Sequence, residues 1–127
     1  MPYRTVLVGT DGSLTAARAV QRAVSLAAAT SARLVVAYVG DPATGRQVLE
    51  AVAQQHADAG VELVHKLLEG DPADALLGLA AAEHADVVVV GNKGMTGAQR
   101  FLLGSVPNKV SHQARCDVLI VNTSARD

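Results

Sequence analysis

One cysteine, Cys116, stands in the 127 residues. That excludes an intrachain disulfide framework and a thiolate zinc cluster, and it fits a cytoplasmic setting. Tryptophan is absent, and Tyr3, Tyr38 and Phe101 are the only aromatic residues. The core must therefore be built from Ala, Val and Leu, with few platforms for stacking bases. Eleven basic residues face twelve acidic ones, for a net charge of −1. With no basic cluster, no general attraction to nucleic acid or to an anionic membrane is expected. No apolar run reaches the roughly 18 residues of a membrane span. Met1-Pro2-Tyr3-Arg4 passes straight into Thr5-Val6-Leu7-Val8, without a signal peptide of ordinary form. His56, His65, His84 and His112 lie on separate segments without ligand spacing, so no metal site is expected. No Gly-x-Gly-x-x-Gly follows the first apolar run, and no Gly-x4-Gly-Lys-[Ser/Thr] occurs. A dinucleotide fold is thus disfavoured and a P-loop excluded. Ser105 is not in a Gly-x-Ser-x-Gly elbow.

What is present is an alternation of short apolar runs and Ala-rich helical patterns. Arg4 to Gly9 reads as strand one, ended by Gly9-Thr10-Asp11-Gly12. Ser13 opens a helix to about Ala29, in which Ala16, Val20, Ala23, Val24 and Ala27 recur at helical spacing. Arg33 to Val39 is strand two, and Gly40-Asp41-Pro42 a turn. Helix two runs from about Thr44 to Ala59, with Gly60 as its stop. Val61 to Leu68 is a less buried strand three. Asp71 then caps a helix from Pro72 to His84. Asp86 to Val90 is strand four, and its run of valines predicts burial on both faces. A fourth helix spans about Ser105 to Ala114 and strand five Asp117 to Val121, before a polar, frayed tail from Asn122 to Asp127. The pattern predicts a single α/β domain, residues 1–127, with an open parallel sheet covered on both faces.

The most informative stretch is Gly91-Asn92-Lys93-Gly94, followed after nine further residues by Gly104-Ser105. A buried strand empties into a glycine-rich loop that ends where a helix starts. Glycines let backbone N–H groups approach a ligand, and the first turn of a helix has unpaired donors and positive partial charge. This is architecture for binding phosphate. If strands one and four are neighbours where the strand order reverses, their loops face one cleft. Asp11 stands in that loop either as a ligand contact or as a helix cap, roles that can coexist. Lys93 either meets a phosphate or faces solvent, and Arg100 is read as solvated or packed on a partner subunit.

Val8-Gly9-Thr10-Asp11-Gly12-Ser13, the Gly-x2-Gly-x9-Gly-Ser spacing over residues 91 to 105 and the closing Asp117-Val118-Leu119-Ile120-Val121 together resemble the universal stress protein family, over essentially the whole chain. The resemblance implies sheet order 3-2-1-4-5 of the adenine-nucleotide α-hydrolase-like type. It also implies an adenine nucleotide, typically ATP with magnesium carried by the phosphates, and homodimers paired through the edge strand 117–121. By position it places Asp11 against the ribose or phosphates with Gly9 and Thr10 beside it, and Val39 against adenine. Val90, Gly91 and Gly94 fall on the ribose-phosphate side, and Gly104, Ser105 and Val106 hold phosphates. The chain departs from the common pattern at Pro107, where many ATP-binding members carry Ser or Thr. That removes one backbone donor and one hydroxyl, and makes cyclic AMP or AMP the alternative to ATP. Some relatives with a similar Gly-Ser-Val-Pro segment are associated with cyclic AMP. The segment between strands two and three is also short for the family.

These residues suit a nucleotide-binding stress regulator without fast chemistry, since Asp11 is the sole acid in the matched loops. A slow ATPase is the enzymatic alternative. A phospho-accepting receiver is disfavoured, because it needs an acidic pair after strand one and a lysine after strand five. The apolar strand 117–121 carries no lysine to blunt an exposed edge, which favours pairing with a second copy.

Overall fold

The computed structural model describes residues 3–92 and 105–123. In chain order its elements are β1 (Thr5–Gly9), α1 (Leu14–Thr30), β2 (Arg33–Val39), α2 (Pro42–Gln55), β3 (Leu63–Leu68), α3 (Pro72–Ala82), β4 (Val87–Gly91), α4 (Ser105–Gln113) and β5 (Asp117–Val121). The five strands form one parallel sheet in the order β3-β2-β1-β4-β5. The chain winds outward from β1 to β3, then crosses back to β4 on the other side of β1. The order therefore reverses between β1 and β4, and crossovers leave on opposite faces there, opening a crevice at the strand ends.

Alternation along the strands splits the core into two layers. Val6, Val8, Val36, Val87 and Val89 point to one face, beneath Ala19, Val20, Ala23, Val24 and Ala27 of α1 and Leu49 and Val52 of α2. Leu7, Val35, Ala37, Val88 and Val90 point to the other, against Ala73, Leu76, Leu79 and Ala80 of α3 and Val110 of α4. The four valines of β4 are buried on both faces, as their unbroken run predicts. Small alanines on α1 allow the helix to approach the sheet closely with little side-chain entropy lost.

Several element ends differ from the sequence expectation, each for a local reason. Gly40-Asp41-Pro42 is not only a turn: Asp41 accepts from the Thr44 N–H at 2.9 Å and Pro42 is the first residue of α2. Gly70-Asp71-Pro72 does the same for α3, with Asp71 accepting from the Asp74 N–H at 2.9 Å. Helix α2 ends at Gln55, short of Ala59, because residues 56–59 bond as successive turns and Gly60 takes a left-handed φ of 73°. Strand β3 begins at Leu63, two residues after Val61; Glu62 contributes its carbonyl to the Leu34 N–H at 2.8 Å while finishing the turn out of α2. Helix α3 stops at Ala82, before His84, whose φ is 55°. Strand β4 starts after Asp86, whose carboxylate accepts from the Arg4 and Thr5 N–H groups at 2.8 and 2.9 Å. The frayed tail is corrected at its start: Thr123 is 2 % exposed and hydrogen-bonded.

Candidate functional site: a cleft between the tips of β1 and β4

At the end of β1 the chain is held by one ladder bond to β2 and then by short-range side-chain bonds. The Thr10 N–H donates to the Ala37 carbonyl at 2.9 Å, prolonging the β1–β2 ladder by one residue. Thr10 Oγ1 accepts from the Gly12 N–H at 3.1 Å, and Asp11 Oδ1 from the Ser13 N–H at 2.9 Å. Ser13 Oγ then accepts from the Ala16 N–H at 3.1 Å, capping α1. Short polar side chains thus satisfy the donors that a sharp strand-to-helix turn would leave unpaired. Gly12 sits at φ 85°, a conformation costly for any other residue.

At the end of β4 the restraint comes from far along the chain. The Asn92 N–H donates to the Val121 carbonyl at 2.8 Å. Asn92 Oδ1 accepts both the Thr123 N–H at 3.0 Å and the Thr123 hydroxyl at 2.9 Å. A Cβ at Gly91 would stand 2.8 Å from Thr123 Cγ2, so only glycine fits while threonine is at 123. Helix α4 begins at Ser105 with Pro107 buried in its first turn. Proline is tolerated there because the first N–H groups of a helix have no intrahelical acceptor. Lys109 links α4 to the start of α3, 2.7 Å from Asp74 and 3.9 Å from Asp71. The Asp74 carboxylate raises the Lys109 pKa, although the exposed pair adds little stability.

These segments meet in one cleft lined by Gly9, Thr10, Thr15, Ala16, Ala19, Leu76, Val90, Gly91, Val106, Pro107 and Thr123. Leu76 forms its floor, with Cδ1 3.0 Å from the position a Cβ on Gly9 would take. The cleft thus joins Gly9, Thr10, Val90, Gly91 and Val106 of the expected site. Asp11 and Val39 are not in this lining; Asp11 is engaged in the turn, and Val39 ends β2 opposite Leu68. Ser105 stands exposed at the first turn of α4, beside Val106. Lys93, Gly94, Gly104 and Arg100 lie outside the described residues. Thr15, Ala16, Ala19, Leu76 and Thr123 were not expected in the lining. The first three could have been found from the helical face of α1 turned toward β4, but nothing local marks Thr123.

Among the described residues, the lining carries hydroxyls from Thr10, Thr15 and Thr123 but no acid, base or cation. Among the described residues no group of three or more His, Cys, Asp or Glu could hold a metal ion. Displaced acidities occur elsewhere. Arg33 donates to Glu83 at 2.9 Å and holds its carboxyl below the usual range, and burial pushes the Cys116 thiol up, which disfavours a reactive thiolate there.

The universal stress protein family model matches residues 2–55 and 43–122. Universal stress protein Rv1636 of Mycobacterium tuberculosis is 39 % identical over 144 aligned positions, covering 96 % of this chain and 98 % of that protein. Its crystal structure has a TM-score of 0.70 at 44 % identity and covers 98 % of each chain. A universal stress protein crystallised in complex with cAMP has a TM-score of 0.86 at 42 % identity, covering 98 % of this chain and all of the other. Both parts of the family match claim residues 43–55, as expected if the β2-to-β3 connection is shortened around α2. No described helix is long and apolar enough to cross a membrane.

Proposed function

The chain belongs to the universal stress protein family, and from that premise we propose that it is an adenine-nucleotide-binding stress regulator whose ligand lies across the tips of β1 and β4. The observation carrying this reading is that Gly9, Gly91 and Val106, distant in sequence, line one cleft where the strand order reverses. The base lies toward Val39 and the ribose against Val90 and Gly91. The phosphate faces the first turn of α4 at Ser105 and Val106; the sequence motif adds Gly94, Gly104 and Lys93, which lie outside the described residues. The helix dipole favours an anion there by about 0.3–1 kcal/mol at an exposed terminus.

Cyclic AMP is the favoured ligand. Pro107 in the wall has no N–H to give, and the described lining holds no cation to offset a triphosphate. A relative 42 % identical was crystallised with cAMP. ATP is the second reading, favoured by the full Gly-x2-Gly-x9-Gly-Ser spacing; its magnesium would be held by the phosphates, since no carboxylate stands among the described lining residues. Binding without fast turnover is the reading supported by a lining that, among the described residues, has hydroxyls and no general base. Leu119 and Ile120 on β5 are 36 % and 37 % exposed at a sheet edge, which supports pairing of that edge with a second copy.

Isothermal titration with cyclic AMP, AMP and ATP, with and without magnesium, tests the reading. Saturable binding is expected, tightest for cyclic AMP; no saturation by any of the three would remove it. At a hundredfold excess over Kd the ligand adds about 2.7 kcal/mol, and each kcal/mol raises the melting midpoint of a domain this size by roughly 3–6 °C. Gly104→Asp, which adds bulk and negative charge, is expected to weaken binding. A monomer in sedimentation at micromolar concentration would count against the β5 pairing.

A further inference from the structure

We propose that Thr123 is a positioning residue for the nucleotide site, acting through Asn92 and Gly91. Thr123 follows β5 and is 2 % exposed, although it lies in what reads as a polar tail. A buried threonine hydroxyl needs a partner, and this one donates to Asn92 Oδ1 at 2.9 Å while its own N–H donates to the same oxygen at 3.0 Å. The Asn92 N–H returns a bond to the Val121 carbonyl at 2.8 Å, so the exits of β4 and β5 are joined in both directions. The methyl group completes the clasp, since Thr123 Cγ2 fills the space that a side chain at Gly91 would need. Gly91 and Thr123 both line the cleft, so whatever sets their separation sets the wall against which the ribose-phosphate end lies. The hydroxyl is committed to Asn92, which makes its effect on a ligand indirect.

The inference rests on the adenine-nucleotide reading, and its test separates the two. Affinity for cyclic AMP and ATP is measured at 10 °C, where each variant is shown by circular dichroism to be folded. Thr123→Val keeps the shape and removes the donor; affinity is expected to fall about two- to tenfold, the range for one partly buried hydrogen bond. Thr123→Ser keeps the donor and should stay within about twofold of the native protein. Gly91→Ala, which meets the threonine methyl, should lose on the order of tenfold or more. Gly91→Ala combined with Thr123→Ser, which removes that methyl, should recover most of the loss. A purely structural threonine would alter melting but not affinity in the folded state. Native affinity in Thr123→Val, or equal impairment in Gly91→Ala and the double variant, overturns the proposal while leaving the nucleotide reading intact. If Gly91→Ala does not fold, the contrast between Val and Ser at 123 decides. A native protein that binds none of the nucleotides overturns both.

Discussion

The two strand tips that border the cleft are held in opposite ways. Beyond β1, Thr10, Asp11 and Ser13 bond to groups two or three residues further on. Beyond β4, Asn92 is held by Val121 and Thr123, the latter 31 residues away. Local bonds form wherever the chain turns and cost little loop-closure entropy, so the turn after β1 needs only β2 beside it, through the Thr10 to Ala37 bond, and not the complete sheet. The second tip exists only once β5 has paired with β4 in register. The side-chain bonds of one wall are therefore a property of residues 10–16, tied to β2 by the single Thr10 to Ala37 bond, and those of the other are a property of the assembled sheet.

Four variants would break or sharpen this contrast. Leu76→Ala removes the fully buried side chain packed under Gly9 and should have the largest effect, about 2–5 kcal/mol of stability in urea unfolding. Asn92→Ala leaves the buried Thr123 donors without their acceptor and should cost about 1–3 kcal/mol. Hydrogen exchange should then rise at residues on β4 and β5 together. Ser13→Ala should cost about 1 kcal/mol, the usual loss for a helix cap, with faster exchange confined to the first turn of α1. Spread of that effect to β4 would contradict the local character of the first tip.

Glu83→Gln should have the smallest effect and serves as a remote comparison. Arg33 holds the Glu83 carboxyl below its ordinary range. The folded protein thus gives up that proton more readily than the unfolded chain. The resulting stability is complete above the ordinary carboxyl range and is lost as pH falls through the lowered one. The native protein should exceed Glu83→Gln in melting temperature at neutral pH, the gap should close on acidification, and nucleotide affinity should not change.

The two Gly-Asp-Pro sequences show how far local reading reaches. Residues 70–72 read as a capped helix start and residues 40–42 as a turn, yet both adopt the same cap. The chemistry was identical, and the difference lay in the weaker apolar pattern that follows Pro42. Cleft residues on β1 and α4 were legible because glycine, hydroxyl and helix start fall in one short span. Leu76 and Thr123 were not, because a leucine on a helix and a threonine after a strand have no local mark of what they will touch.

By itself the sequence determined the α/β alternation, the parallel pairing it requires, the buried β4 and the side-chain bonds of the turn after β1, since each follows from periodicity or from bonds within a few residues. Only the tertiary structure decided that Leu76 would underlie Gly9 and that Thr123 would close on Asn92 and Gly91. Those contacts join segments tens of residues apart, and their geometry is set when the sheet comes into register.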